Sequence, residues 1–241
     1  MQILFSVISH NQQNLVQNFV DSVDKYLSSN NHQVKIVVTE NFLPCIDIVS
    51  QRFCVKTHLN LREKGFGSNH NSIFEKYSSD YIFIINPDIE FINDVNIDNI
   101  INEIQENKFD ISSPQVVSPE GYFGQNKREN ITIRNLFRRR NLNRPTKNTD
   151  WLSGMFLIIK SDNFIKLKGF DPKFFMYVED CDLGMRARKT GMKIGELSEF
   201  VVLHDGQKMT WKSMKHFKWH VTSILRYWIK NLFRFLNKNS D

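Results

Sequence analysis

Short apolar runs alternate with amphipathic stretches through the first hundred residues, and that rhythm leaves few folds open. Residues 3–8 read as a short buried strand, and residues 12–27 as a helix with Leu15, Phe19, Val23 and Leu27 on one stripe. A β-branched run at 34–39 gives a second strand, 44–51 a short helix, and 53–58 a third strand. A loop holding Gly65 and Gly67 leads into a helix over 68–77. Residues 81–85 then form a fourth apolar strand that stops abruptly at Asn86-Pro87-Asp88. Strands separated by helices pair in parallel under a helical cover, so the reading is an α/β fold with a central, mostly parallel sheet flanked by helices. In such sheets ligands lie beyond the carboxyl ends of the strands. Those ends carry Ser9-His10-Asn11, Glu40-Asn41 and Asn86-Pro87-Asp88, all polar.

The second half is less regular. Residues 95–106 read as a helix and 110–117 as a strand, followed by a polar, basic segment to residue 148 and an apolar run at 151–159. Residues 162–167 look helical, Gly169-Phe170-Asp171-Pro172 is a turn, and 179–189 is a helix closed by Gly191. A last strand at 200–203 ends at His204, and an aromatic, basic helix runs from 210 to 236. No repeat or low-complexity linker interrupts this order. The expectation is a catalytic domain over 1–207 and an amphipathic C-terminal helix over 208–241, on a membrane surface or packed on the domain.

At 241 residues, with 41% hydrophobic and 24% charged side chains, the chain buries one ordinary core, which excludes disorder throughout. The net charge of +6 is concentrated at 127–147, where eight Lys/Arg face the single acid Glu129, and at 208–238. Cys45, Cys54 and Cys181 are odd in number and lack CxxC spacing, which fits reduced thiols in a cytoplasmic protein. Residues 2–8 are too short for a secretory leader, and no window of eighteen apolar residues exists. The expected location is cytoplasmic, at most peripheral on the inner face of the cell membrane.

Several residues can carry chemistry. Asp88, projecting from a strand end, can hold a hard divalent cation that grips a diphosphate, or can simply close a turn. His204, ending another strand, can complete that coordination or serve as an ordinary hydrogen-bonding residue. Phe174–Gly191 is denser: Glu179, Asp180 and Asp182 open a helix that Arg186, Arg188 and Lys189 close. The helix dipole favours that bias by roughly 0.3–1 kcal/mol per charge. Yet three acids within four residues, beneath an aromatic lead-in, exceed capping needs. Crowded acids raise at least one pKa towards base duty. Glu40 and Asn41 can bind a base or ribose hydroxyl, and Gly65 and Gly67 allow close backbone approach beside a helix start that welcomes an anion.

Taken in order, these segments resemble the inverting glycosyltransferase family 2, with its GT-A fold, and most of all its rhamnosyltransferase-type members. The resemblance runs from Ile3 to Gly206. It rests on GFDPKFFMYVEDCDLGMRARKTG (169–191), NLREKGFGSNHNSI (60–73), INPDIE (85–90) and SGMFLIIK (153–160). It implies that Asp88 and His204 ligate Mg²⁺ or Mn²⁺ and that Asp180 is the general base, with Glu179 supporting it or the acceptor hydroxyl. Asp182 is left as structural. It also implies that Ser9, Asn11, Glu40, Asn41, Gly67, Asn71 and Asn86 lie on the donor side, and Trp151, Gly154 and Glu179 on the acceptor side. Asn86 stands where many relatives carry Asp, Glu40 replaces a commoner Asp, and Ser9-His10-Asn11 a commoner Thr/Ser-Tyr-Asn.

The activity so implied moves a sugar, rhamnose or another hexose, from a nucleotide-diphosphate sugar to a hydroxyl of a glycan or lipid-diphosphate-linked acceptor in bacterial surface polysaccharide synthesis. The basic segments then suit the lipid diphosphate or an anionic membrane. Nucleic acid is not an expected partner, because the acid cluster opposes it. The rivals are a sugar-nucleotide nucleotidyltransferase, whose Gly-rich basic signature is missing from residues 6–14, and a non-catalytic nucleotide-sugar-binding module.

Overall fold

A computed structural model describes residues 1–41, 47–124, 126–132, 135, 149–205 and 214–238, with side chains of the last helix described to Leu232. The first half runs β1 (Gln2–Ser9), α1 (Gln13–Tyr26), β2 (Leu27–Ser28), β3 (Gln33–Glu40), β4 (Cys54–Leu59), α2 (Phe66–Lys76) and β5 (Tyr81–Ile85). There follow β6 (Ile89–Phe91), β7 (Val95–Asn96), α3 (Ile97–Asn107), β8 (Ile111–Val117), β9 (Lys127–Arg128), β10 (Trp151–Leu152) and β11 (Phe156–Lys160). The chain closes with α4 (Ser161–Lys166), α5 (Glu179–Lys189), β12 (Ile194–His204) and α6 (Met214–Lys238).

The main sheet has eight strands in the order β4-β3-β1-β5-β11-β8-β12-β6. The half built from the first ninety residues is parallel throughout. In the other half β11 runs antiparallel to both β5 and β8, β12 is parallel to β8, and β6 is antiparallel to β12. The sheet is therefore mixed, with parallel pairings in the majority.

β1 is buried on both faces because its side chains alternate between two cores. Phe5 and Val7 join Val16, Phe19, Val20 and Val23 of α1 and Ile100, Ile101 and Ile104 of α3. Leu4 and Ile8 join Ile73 of α2, Phe164 of α4, and Leu183 and Ala187 of α5. Each such burial stabilises the fold by roughly 1.5–3 kcal/mol, so a one-residue slip of β1 would misplace both sets at once. Phe5 also stacks on Phe83 with centroids 4.9 Å apart, which fixes neighbouring strands against each other. A third, smaller core joins Trp151, Phe174, Val178 and Cys181 to Tyr227 of α6.

Four sequence expectations are corrected. The helix expected at 44–51 is missing over 47–50, where the backbone is irregular; its first residues, like Cys45, lie outside the described ones. Side chains of α1 take the backbone groups there: Asp24 accepts from Ser50 Oγ and Gln51 N–H, and Gln17 binds Val49 through both its amide atoms. The last strand begins at Ile194 rather than 200, with a register shift between Glu196 and Val201 that hides its periodicity. The apolar run 151–159 splits into β10 and β11 about Ser153-Gly154. β6 was not expected at all; it pairs with the end of β12. Most of the basic segment 133–148, and residues 206–213 before α6, lie outside the described residues.

Candidate active site

The carboxyl ends of β1 and β3 stand side by side, Ser9 opposite Glu40 in the parallel register. Ser9 Oγ accepts the N–H of Gln12 at 3.1 Å, tying the strand end to the turn that leads into α1. Asn11 adopts a left-handed conformation (φ 59°), tolerable for Asn, and donates its N–H to Glu40 Oε2 at 3.3 Å. Glu40 and Asn41 are both buried. The Asn41 amide is consumed by protein: its Nδ2 donates to Lys64 O at 2.7 Å, and its Oδ1 accepts from Lys64 N–H and Asn60 Nδ2, each at 2.9 Å. It thus moulds the glycine-bearing loop rather than presenting a free edge. Beside it, burial lowers the His10 pKa against the opposing pull of Glu63 and Glu40, while His216 and Lys215 of α6 add to the lowering.

Beyond β5, Asp88 meets His204 because β6 pairs with β12 and brings Ile89 opposite His204. The Asp88 Oδ2 to His204 Nε2 distance is 3.4 Å, and both side chains are nearly buried. Asp88 Oδ1 and His204 Nδ1 are buried without a hydrogen-bond partner among the described residues. Such an orphaned carboxylate oxygen is costly unless something else satisfies it, commonly about 1–3 kcal/mol. A divalent cation would suit this carboxylate and imidazole pair, whose buried Asp88 Oδ1 and His204 Nδ1 lack partners among the described residues. Among the described residues no cluster of three His, Cys, Asp or Glu forms a complete protein cage.

The acids of α5 lie on the same structural path. Asn86 donates its N–H to Met155 O at 2.9 Å, and the preceding residue, Gly154, donates its N–H to Asp180 Oδ2 at 2.9 Å. Two adjacent residues thus tie the Asp88 loop to the acid helix. A Cβ on Gly154 would lie 3.2 Å from Phe66 Cε1 and 3.5 Å from Asp180 Cβ, so the fit around this donor is close. Asp180 Oδ1 also accepts the Cys181 N–H at 2.8 Å, so two backbone donors orient this carboxylate. Glu179 is buried, its Oε2 has no partner among the described residues, and burial first, then the Asp180 carboxylate, pushes its pKa well above the carboxylate range. Tyr177 and Val178, just before them, both have positive φ (69° and 71°), a strained entry that a β-branched residue adopts only when its surroundings compel it.

Other expected site residues make contacts within the fold. Asn71 grips the Phe170 backbone with both amide atoms, at 2.8 and 2.9 Å. A Cβ on Gly67 would lie 2.5 Å from Phe170 Cβ, so this glycine lets α2 approach the turn. Trp151 is buried, its indole N–H bonded to Glu129 O at 2.9 Å, and its flank fills the space left by Gly184. Asp182 is structural: it accepts from Arg186 Nε at 2.7 Å and from Lys230 Nζ at 2.6 Å. Lys230 also reaches Asp171 at 2.6 Å. That clamp was not singled out from sequence, because its members are separated by 48 and 59 positions. The same holds for the 2.7 Å bond between the Tyr177 hydroxyl and His216 Nδ1.

The comparisons with known proteins point one way. The model of the family described as "Glycosyl transferase family 2" matches residues 6–167, more than half of the chain but ending before the acid pair. The "Rhamnosyltransferase WbbL" of Escherichia coli (strain K12) is 24% identical over 92% of this chain and 90% of its own length. An "N-acetylglucosaminyl-diphospho-decaprenol L-rhamnosyltransferase" of Mycobacterium tuberculosis is 37% identical over 68 residues, 28% of this chain and 22% of its own. Among solved structures, GalNAc-T7 with UDP, GalNAc and Mn²⁺ aligns with a TM-score of 0.65 at 15% identity, over 85% of this chain and 43% of its own. The S. aureus TarS fragment 1–349 aligns with a TM-score of 0.61 at 15% identity, over 85% of this chain and 60% of its own. The chain thus spans less than two thirds of these solved structures, and the likeness shows the fold, which is GT-A. With its strand-end site in that fold and its matched span, the chain belongs to glycosyl transferase family 2, in the rhamnosyltransferase-like branch of its curated relatives.

Proposed function

We propose that this glycosyltransferase moves rhamnose or another hexose from a nucleotide-diphosphate sugar to a hydroxyl of a glycan or lipid-diphosphate-linked acceptor, inverting the anomeric carbon, in bacterial surface polysaccharide synthesis. The observation that carries the reading is Asp180, held by the Gly154 and Cys181 N–H groups beside the buried Glu179, whose pKa burial and the Asp180 carboxylate raise. The acceptor oxygen attacks C1 of the sugar while the C1–O bond to the diphosphate breaks, its electron pair leaving on the phosphate oxygen. Asp180 takes the acceptor's proton. Glu179, buried beside Asp180 and with its pKa raised by that burial and by the Asp180 carboxylate, supports the base or the acceptor hydroxyl. Asp88 and His204, with Asn86 on the same loop, would hold Mg²⁺ or Mn²⁺, which supplies charge neutralisation for the departing nucleoside diphosphate.

Relatives support the substrate classes. The curated ones are named rhamnosyltransferases, one with a diphospho-decaprenol in its name, and the solved neighbours were crystallised with UDP, UDP-GlcNAc and, for GalNAc-T7, Mn²⁺. Replacing Asp180→Asn keeps the shape and removes the base, so transfer falls by about 10²–10⁴-fold while nucleotide affinity stays within a factor of two or so. Single-turnover transfer of a labelled sugar and calorimetric nucleotide titration measure the two quantities. A variant with wild-type turnover places the base elsewhere.

A further inference from the structure

The last helix, α6, has two unlike faces. On one, Tyr227 is 4% exposed, Ser223 Oγ donates to Met176 O at 2.9 Å, and Trp228 Nε1 donates to Ile131 O at 2.8 Å. On the other, Met214, Phe217, Val221, Leu225, Ile229 and Leu232 recur at steps of three and four, and Leu225 and Ile229 are 49% and 54% exposed. The stripe therefore runs unbroken along about 27 Å of helix. Six large apolar side chains aligned on a surface are more than scattered exposure explains.

Charge decides what covers them. Lys218 and Arg226 are exposed beside the stripe, each one position on from Phe217 and Leu225, and among the described residues no carboxylate pairs with either. Between Asp205 and Asp241 the sequence holds no acid at all. A second copy of the same stripe would bring like charges together, whereas anionic lipid headgroups neutralise them. Among the described residues no helix is long and apolar enough to cross a membrane, so α6 fits the surface rather than the interior of a bilayer.

We infer that the Phe217–Leu232 face of α6 docks on an anionic bilayer, while its other face braces the segment that leads into Glu179 and Asp180. The brace is direct: Met176 and Tyr177 are both bonded to α6, through Ser223 and His216. The value of that placement rests on the proposed lipid-linked acceptor, whose diphosphate would lie at the same membrane level as the site. Docking itself does not depend on that reading.

The test uses the full chain in vesicle flotation, with neutral phosphatidylcholine against vesicles containing 30% or so phosphatidylglycerol, at low and high salt. The wild type floats with the anionic vesicles and is released by salt. Replacing Lys218→Gln and Arg226→Gln together weakens partition by about 25-fold, from about fivefold per cation removed. Replacing Val221→Ser, Leu225→Ser and Ile229→Ser together weakens it at least about tenfold while leaving transfer to a water-soluble acceptor unchanged. Equal partition onto both vesicles, no partition onto either, or concentration-dependent dimers lost in the triple-serine variant without vesicle binding would each overturn the inference. Flotation without any sugar transfer would instead uphold docking and remove the transferase reading.

Discussion

Replacing Lys230→Met tests whether α6 is part of the catalytic fold. The ammonium lies 2.6 Å from both Asp171 Oδ2 and Asp182 Oδ1 and 5.5 Å from the Phe174 ring centroid. Methionine keeps the length of the side chain and removes the charge. Hydrogen bonds to charged groups contribute about 1.5–3 kcal/mol each, and removing one partner of a buried pair costs about 3–5 kcal/mol. Two features reduce that figure. Asp182 keeps Arg186 at 2.7 Å, and the Lys230 and Asp171 side chains remain 20% and 19% exposed, so solvent screens part of the loss. A cost of about 3 kcal/mol follows, which for a chain of this size lowers Tm by about 6–12 °C.

The pH dependence carries a second signature. Burial alone would raise the Asp171 pKa, but the Lys230 hydrogen bond, the Lys173 N–H and the charges of Lys230 and Arg186 outweigh it and hold it below the ordinary value. A depressed folded pKa gives stability that is present above the unfolded pKa and lost as pH falls through the folded one. Lys230→Met therefore flattens the acid limb of a stability–pH curve between those two values, and a melting series from pH 7 down to pH 3 or so reads both effects. A Tm within about 2 °C of wild type, with the acid limb intact, refutes the reasoning.

Glu179→Gln fixes in neutral form a carboxyl whose pKa burial and the Asp180 carboxylate already raise, so transfer stays within about tenfold of wild type, against the far larger loss in Asp180→Asn. Because the folded Glu179 pKa is raised from 4.5, its stability cost grows as pH rises above that value, and Glu179→Gln removes this slope in urea titrations; an unchanged slope would contradict the raised pKa. Asp88→Ala abolishes the Mn²⁺-dependent part of nucleoside diphosphate affinity in paired calorimetric titrations, and a variant that keeps the gain on adding Mn²⁺ excludes Asp88 as a ligand. Gly67→Ala forces a Cβ to 2.5 Å from Phe170 and destabilises by about 1–3 kcal/mol in urea unfolding, whereas an unchanged midpoint would mean that the α2 contact yields freely.

The parallel half of the sheet was legible because β1, β3 and β5 obey short-range rules: apolar runs, β-branched residues and polar stops. α5 was legible to the residue, its acids at one end and its basic residues at the other. The antiparallel half was not, since the direction of β11 and β12 is set by long connections whose lengths say little about pairing. Asp88 and His204 were expected to share one metal, but no element visible in the sequence brought them together. Their meeting depends on β6, a three-residue strand too short to show a period. Asn71, Gly67 and Trp151 were read as site residues because they sit near the right motifs. The Asn71 and Trp151 side chains bond the Phe170 backbone and Glu129 O, 99 and 22 positions away, and a Cβ on Gly67 would meet Phe170. Polar side chains that satisfy a distant backbone look, in one dimension, like those that await a ligand.

The segment from Phe170 to Val178 is held at nearly every step by a different part of the chain. Asn71 fixes Phe170, Lys230 fixes Asp171, the Phe66 N–H fixes Phe175 O, Ser223 fixes Met176 O and His216 fixes Tyr177. Its shape is therefore not a property of its own residues. Grafting the nine residues into another protein would carry their letters but not their backbone. Their conformation travels only with α2 and α6, so a change in α6 reaches the backbone that leads into Glu179 as directly as a change within the segment itself.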